Sequence, residues 1–217
     1  MPILSSKILL ATLLTTTASS QLTATSLSKT VDAHYNHLQS LQCRYTERYQ
    51  GMGLDRSETG TLTLKKPGRM RWAYDSTSPL GGKLFILDGQ SAITYTPGDT
   101  TAQSIPAKKL DDLRSPLRFL LGHTELAKEL DHLTFTPLPN NTYTLTGTPK
   151  AMSNRLKSLA LTVDATGQIQ SMRLEDTDGA LTTFTFTAMH ENIPTNPSDF
   201  TFLPPPGVTL VDGTAPI

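Results

Sequence analysis

Over Gly60–Asp75, GTLTLKKPGRMRWAYD, apolar and polar side chains alternate on either side of a break at Pro67-Gly68. Leu62 and Leu64 alternate with Thr61, Thr63 and Lys65, then Met70, Trp72 and Tyr74 with Arg69, Arg71 and Ala73. Period two on both arms predicts a hairpin with one apolar face and one face of threonine and charge. The same period recurs along the chain. LQCRYTERYQ reads as a strand, KLFILDGQSAITYT as a hairpin turning at Asp88-Gly89, and YTPGDTTAQSI as a turn into another strand. HLTFTP, TYTLTG, LKSLALTVDATGQIQSMRLED (a hairpin at Asp164–Gly167) and ALTTFTFTAM follow, and a short DFTFLPPPGVTLVD closes the chain. Apolar side chains keep one face throughout: Leu133 with Phe135, Tyr143 with Leu145, Leu159 with Leu161 and Val163, Phe184 with Phe186.

Three segments break this period. Leu27, Val31, Tyr35 and Leu38 share one helical face, predicting an amphipathic helix of about three turns. RSPLRFLLG offers Ser115 as N-cap, Pro116 at the first helical position and Gly122 as C-cap, with Leu117, Phe119, Leu120 and Leu121 making it apolar almost all round. Thr124 starts a second short helix. The expected fold is therefore mainly β: a large, curved antiparallel sheet of about ten to eleven strands, its apolar face covered by a lid of short helices. Alternation leaves open whether that face encloses a packed core or a cavity.

Residues 1–24 read as a signal peptide: Lys7, the apolar run Ile8–Leu14, and a small-residue cleavage region near Ala18 or Ala24. Residues 25–217 then form one exported domain that does not span the membrane after processing. A formal net charge of zero gives no electrostatic footprint for nucleic acid or an anionic membrane surface. A single cysteine, Cys43, excludes a disulfide framework within the chain and lies beyond either cleavage position.

Catalytic chemistry finds little purchase. No G-x-S-x-G, Walker loop, H-E-x-x-H or paired cysteines occur. His34 and His37 share a helix flank, best read as solvated, and Cys43 is best read as a small buried hydrophobe. EDTDG (Glu175–Gly179) lacks the remaining ligands of a calcium loop, so its Asp178-Gly179 is a hairpin turn. Asn140-Asn141-Thr142 fits a glycosylation acceptor and equally a polar turn, and is read as the turn. No enzyme activity, cofactor or metal is expected.

Taken in order, the leader, the amphipathic helix, GTLTLKKPGRMRWAYD, LFILDGQSAITYTP, SPLRFLLG and the tail FTFLPPPGVTLVD resemble the LolA family of periplasmic lipoprotein carriers, from about Leu27 to Asp212. The resemblance implies an unclosed half-barrel whose concave apolar face, under a helical lid, holds the acyl chains of lipoproteins. An inner-membrane lipoprotein-releasing ABC transporter would load it, and an outer-membrane acceptor would unload it. On that reading lipid meets Leu62, Leu64, Met70, Trp72, Tyr74, Ile93, Tyr95, Phe119, Leu120, Phe135, Leu161, Phe184 and Phe186. The family's arginine before the hairpin proline, which bonds to the lid, is Lys66 here: the charge stays but the planar five-donor fork is lost. Met70 stands where the family commonly has a bulky aromatic. The alternative reading is a lipoprotein- or lipid-sensing envelope module of the same fold. A lipoprotein acceptor would need a cysteine at the mature N-terminus, and a periplasmic hydrolase would need a polar constellation in the cavity.

Overall fold

In a computed structural model of the chain, residues 22–108 and 122–213 are described. Residues 1–21 of the expected leader and the apolar run with Phe119 and Leu120 lie outside them. Twelve strands form one sheet: β1 (Ser40–Gly51), β2 (Leu54–Lys65), β3 (Arg69–Tyr74), β4 (Leu84–Leu87), β5 (Ser91–Tyr95), β6 (Thr101–Pro106), β7 (Leu130–Leu138), β8 (Thr142–Pro149), β9 (Leu156–Asp164), β10 (Ile169–Asp176), β11 (Leu181–Glu191) and β12 (Thr209–Asp212). Their spatial order is β12-β6-β5-β4-β3-β2-β1-β11-β10-β9-β8-β7. Two meanders, β1 to β6 and β7 to β11, are thus joined where β1 pairs with β11, and the ends of the sheet stay unpaired with each other.

The expected hairpins form, and the one between β1 and β2 runs further than the alternation suggested, from Ser40 opposite Lys65 to Gly51 opposite Leu54. Asn140 and Asn141 both take positive φ at the β7–β8 turn, as asparagine tolerates. At the β10–β11 turn Gly179 has φ +88° and Asp178 Oδ1 accepts from Ala180 N, 3.1 Å away. One strand departs from the antiparallel expectation. β12 runs parallel to β6, pairing Thr209 with Thr101 and Asp212 with Ser104, because the chain after β11 crosses a sheet face first.

Helix α1 (Ala24–His37) is closed at its N-terminus by a reciprocal cap between Thr23 and Ser26. It buries Leu27, Ser28, Val31 and Tyr35 against the concave face of the sheet. Gly167 at the β9–β10 turn, at φ +87°, lets the helix come close: a Cβ there would stand 2.6 Å from the Thr30 carbonyl oxygen. Tyr35 Oη accepts the Ile169 amide at 3.0 Å beside it. The second helix, α2 (Leu126–Glu129), begins two residues after Thr124 and is a single turn.

Ladder register identifies the faces, since directly paired residues point the same way. Leu41–Leu64–Met70–Leu87–Ala92–Ile105 form one concave row, while Arg71–Ile86–Ile93–Ser104 form the neighbouring row on the reverse. The segment after β11 lies on that reverse face: Arg71 Nη1 donates to Asp199 O at 3.5 Å, and the Tyr95 and Phe202 rings are 5.5 Å apart. Ile86, Ile93, Ala102 and Phe200 are buried there.

Candidate functional site: an apolar cavity on the concave face

Among the described residues, the concave face is not filled along its whole length. A cavity of about 1400 Å³ opens over the centre of the sheet. Its apolar lining comes from Met70, Trp72, Phe85 and Leu87 on one meander, from Leu159, Met172, Leu174 and Phe184 on the other, and from Leu126 and Leu130 at α2. Trp72 and Phe184 meet edge to face at 5.4 Å, linking the two halves of the floor. Arg56, Lys83, Lys108, Lys128, Lys150 and Arg155 bring cationic groups to the rim, with Glu47, Glu129, Asp176 and Asp178 among them.

Beside the cavity the same face is sealed by α1, where Leu62, Leu64, Leu145, Leu161 and Val163 have no exposed surface. Three side chains tie α1 to the segment that borders the cavity. Asn36 Nδ2 donates to Thr124 O at 3.0 Å while its Oδ1 accepts from Thr124 N at 2.7 Å. Asp32 accepts the Leu126 amide at 3.0 Å and so caps α2 from another element. Burial raises the Asp32 pKa above the ordinary carboxylate value, against the lowering effect of that amide. Lys66 Nζ donates to Tyr35 O near the end of α1 and to Gly122 O at 2.7 Å. Burial lowers the Lys66 pKa.

Around Glu47 and Glu58 the concave face carries a cluster of bonded polar groups. Tyr74 Oη donates to Glu47 Oε2 at 2.7 Å. Glu58, opposite Glu47 in the β1–β2 register and 1% exposed, accepts from Ser78 Oγ and from Leu80 N at 3.1 Å, with Arg56 Nε 3.0 Å from its other oxygen. It thereby fastens the loop between β3 and β4 to the sheet. Cys43 is buried and its thiol is pushed up to about 12, which suits a packing residue and not a nucleophile. His34 is not on a solvated flank as expected: its Nε2 lies 2.8 Å from Glu191 Oε1, and both side chains are partly buried.

The residues expected to meet lipid separate into four groups. Met70, Trp72, Tyr74 and Phe184 line the cavity. Leu62, Leu64, Leu161 and Phe186 share the concave face but lie in its packed part, and Phe135 sits on the same face, half-buried. Ile93 and Tyr95 require correction: register turns both to the reverse face, beneath the C-terminal segment. Phe119 and Leu120 lie outside the described residues. The pattern missed Phe85 and Leu87, because LFIL is apolar at four successive positions and names no face. Met172 and Leu174 alternate within SMRLED and were detectable from the same period that marked Leu159 and Leu161.

The site is thus a cavity with an apolar floor on the concave face of an open, mainly antiparallel sheet, beside the helix that covers the rest of that face. Two solved structures share the fold: an uncharacterized conserved protein from Thermus thermophilus (TM-score 0.57, 10% identity, 88% of this chain and 99% of that one) and a DUF1329 family protein from Desulfovibrio piger (TM-score 0.52, 12% identity, 82% and 95%). The model of the outer membrane lipoprotein carrier protein LolA family matches residues 37–203. Among similar sequences, the outer-membrane lipoprotein carrier protein of Nitrosospira multiformis is 28% identical over 155 residues, covering 70% of this chain and 72% of its own. That of Cupriavidus necator is 29% identical over 181 residues, covering 80% and 82%. The chain belongs to the LolA family.

Proposed function

We propose that this protein is a periplasmic carrier that takes the acyl chains of lipoproteins into its concave cavity. It receives them from an inner-membrane ABC transporter and passes them towards the outer membrane, after removal of a signal peptide cleaved near Ala18, which leaves Thr23 to cap α1. The observation that carries this reading is the cavity of about 1400 Å³ floored by Met70, Trp72, Phe85, Met172 and Phe184. It exceeds the roughly 300 to 1,000 Å³ of ordinary small-molecule sites, with an apolar floor beneath a charged rim. Each acyl methylene buried there contributes about 0.8 kcal/mol, so one long chain brings on the order of 10 kcal/mol before ordering costs. A carrier must also release its load, and a cavity with a wide mouth grips less than a sealed one.

Lys66 is the latch in this scheme, holding α1 to Gly122 beside the cavity. Among the described residues no helix is long and apolar enough to cross a membrane. The test is binding of an environment-sensitive acyl probe, with displacement by purified lipoprotein and mass spectrometry of what co-purifies from periplasm. Roughly one-to-one binding with a shift in Trp72 emission is expected, with intact lipoprotein as the co-purifying species. Probe uptake no greater than that of an unrelated soluble protein of similar size would sink the reading.

A further inference from the structure

The β1–β2 hairpin ends in Gly51-Met52-Gly53-Leu54. Gly51 pairs with Leu54, so Met52 and Gly53 are the two turn residues, at φ +52° and +77°. Positive φ at both positions is the pattern that favours Asn-Gly, because a Cβ is strained there and asparagine tolerates the strain best. Methionine at the first position carries that strain and gains no packing in return. It is 86% exposed, and Leu54 beside it is 62% exposed. Strain combined with exposed apolar surface at one point marks a contact beyond the fold itself.

The register says where that contact lies. Leu62 and Leu64 face the concave side, and side chains two apart on a strand share a face, so Glu58, Arg56 and Leu54 continue that row to the hairpin tip. Arg56 lines the cavity, as do Asp178 in the β10–β11 turn and Thr182, which pairs with Tyr49 on β11. Leu54 is therefore one step beyond the cavity lining on the same face, and Met52 stands at the tip. Together they make an apolar lip at this end of the cavity. Gly51 seats the lip against the neighbouring turn: a Cβ on it would stand 2.6 Å from the Cβ of Ala180.

The chemistry of the lip favours lipid over a protein socket. No side chain from Gly51 to Leu54 carries a polar group, and the charges behind it are matched, Arg48 with Asp55 at 2.9 Å and Arg56 with Glu58 at 3.0 Å. Protein partners are anchored mainly by aromatic and arginine side chains within roughly 800 Å² on each side. Two aliphatic side chains offer a fraction of that area and no direction. Fluid hydrocarbon asks only for apolar surface. Even one myristoyl chain binds membranes marginally and reversibly, so a lip this small touches without anchoring.

We propose that Met52 and Leu54 dip into the hydrocarbon boundary of a lipid bilayer, so that acyl chains pass between membrane and cavity along an apolar edge. The inference rests on the carrier reading and adds a partner for the same site, the bilayer itself. With a formal net charge of zero in the chain, the contact needs no anionic lipid.

The test reads contact and delivery separately. Cys43 is buried, so an environment-sensitive thiol dye reports on the introduced cysteine of Met52→Cys, with Leu203→Cys, at a residue 80% exposed elsewhere, as control. Protein-free phosphatidylcholine vesicles should shift the dye emission to the blue in Met52→Cys and leave it unchanged in Leu203→Cys. Delivery of a preloaded fluorescent acyl probe to the same vesicles should slow about tenfold in the double variant Met52→Asn, Leu54→Ser, since two apolar side chains are lost. Probe affinity should stay that of the parent. Met52→Asn alone should melt about 2 °C higher, because asparagine suits the turn, whereas a methionine needed by the fold would lower it. No dye shift, an equal shift at both positions, or unchanged delivery would each overturn the lip. A shift seen only with anionic vesicles and abolished by salt would assign the contact to the charged rim and overturn it too. Delivery that requires membranes carrying their proteins, with no response to protein-free vesicles, would assign the tip to a protein socket instead. A parent that takes up no probe would sink the carrier reading, while the dye shift would still decide whether the tip meets lipid.

Discussion

Leu64 and Met70 face each other across the β2–β3 ladder on one face of the sheet, yet they serve different parts of the molecule. Leu64 is sealed beneath α1, and Met70 lines the cavity. Leu161 and Met172 repeat the contrast on β9 and β10, with Leu161 fully covered and Met172 on the cavity floor. Nothing in the strands' alternation marks this boundary. It is drawn by what lies on top: α1 ends, and the cover changes from a packed helix to a short turn held by three side-chain contacts.

A charge placed on each side of the boundary gives the largest expected difference. Leu64→Glu puts a carboxylate where neither water nor a partner reaches, at a cost of about 3 to 5 kcal/mol, a large share of a domain's stability. Loss of the cooperative thermal transition is expected. Met70→Glu has the cavity beside it, so the variant should unfold cooperatively, within a few degrees of the parent, and fail to take up acyl probe. Equal melting temperatures for the two variants would erase the distinction between packed and open parts of the face.

The next effect tests the helix and not the sheet. Gly167→Ala combines a positive φ with a methyl group driven into the Thr30 carbonyl, for about 2 to 3 kcal/mol. Because α1 sits on this turn while the cavity is lined from elsewhere, denaturant stability should drop with probe affinity per folded molecule reduced far less. A proportionate loss of both would mean that α1 seating and cavity shape are one unit.

Much of this was legible in the chain and some was not, for physical reasons. Period two gave the strands, their hairpins and the concave face of Leu62, Met70, Trp72 and Phe184, because a half-buried antiparallel sheet imposes that period. The bulk of Ile93 and Tyr95 misled for the same reason: it marks a buried face, and β5 is buried on both. The parallel β12 that extends the β6 edge was invisible, since four residues after a proline run carry no register of their own. The division between packed and open parts of the concave face depends on contacts far apart in sequence, Asn36 to Thr124 and Asp32 to Leu126, which no local pattern records.

Lys66 gives a smaller, more local effect. Lys66→Leu removes two charge-assisted bonds to carbonyls, worth about 2 kcal/mol where they are half-buried. Crosslinks between α1 and residue 122 should weaken, and bound lipid should be harder to release because an apolar residue at the rim adds grip. Lys66→Arg should strengthen the crosslink and slow hand-off to an acceptor, since a planar fork reaches two carbonyls with less side-chain ordering. Transfer rates equal to the parent in both variants would remove Lys66 from the release step.

The smallest expected effect is at Asp32, and its sign is informative. Burial raises its folded pKa above the ordinary value of 3.8, so between 3.8 and the raised value the folded protein holds more protons than the unfolded chain. Stability from this group is therefore present in acid and falls as pH rises through that window. At neutral pH the ionised carboxylate is retained for the Leu126 amide it caps, at some cost in desolvation and in repulsion from Glu125 and Glu129. Asp32→Asn keeps an acceptor oxygen for that amide and removes the charge. Its stability at neutral pH should equal or exceed the parent's by up to about 1 kcal/mol. The pH profile between 3.8 and neutrality should be flatter. Denaturant titrations across that range measure both. A variant clearly less stable than the parent at neutral pH would show that the carboxylate's charge, and not only its oxygen, holds α2 to α1, and the soft edge of the cavity cover would then be an electrostatic one.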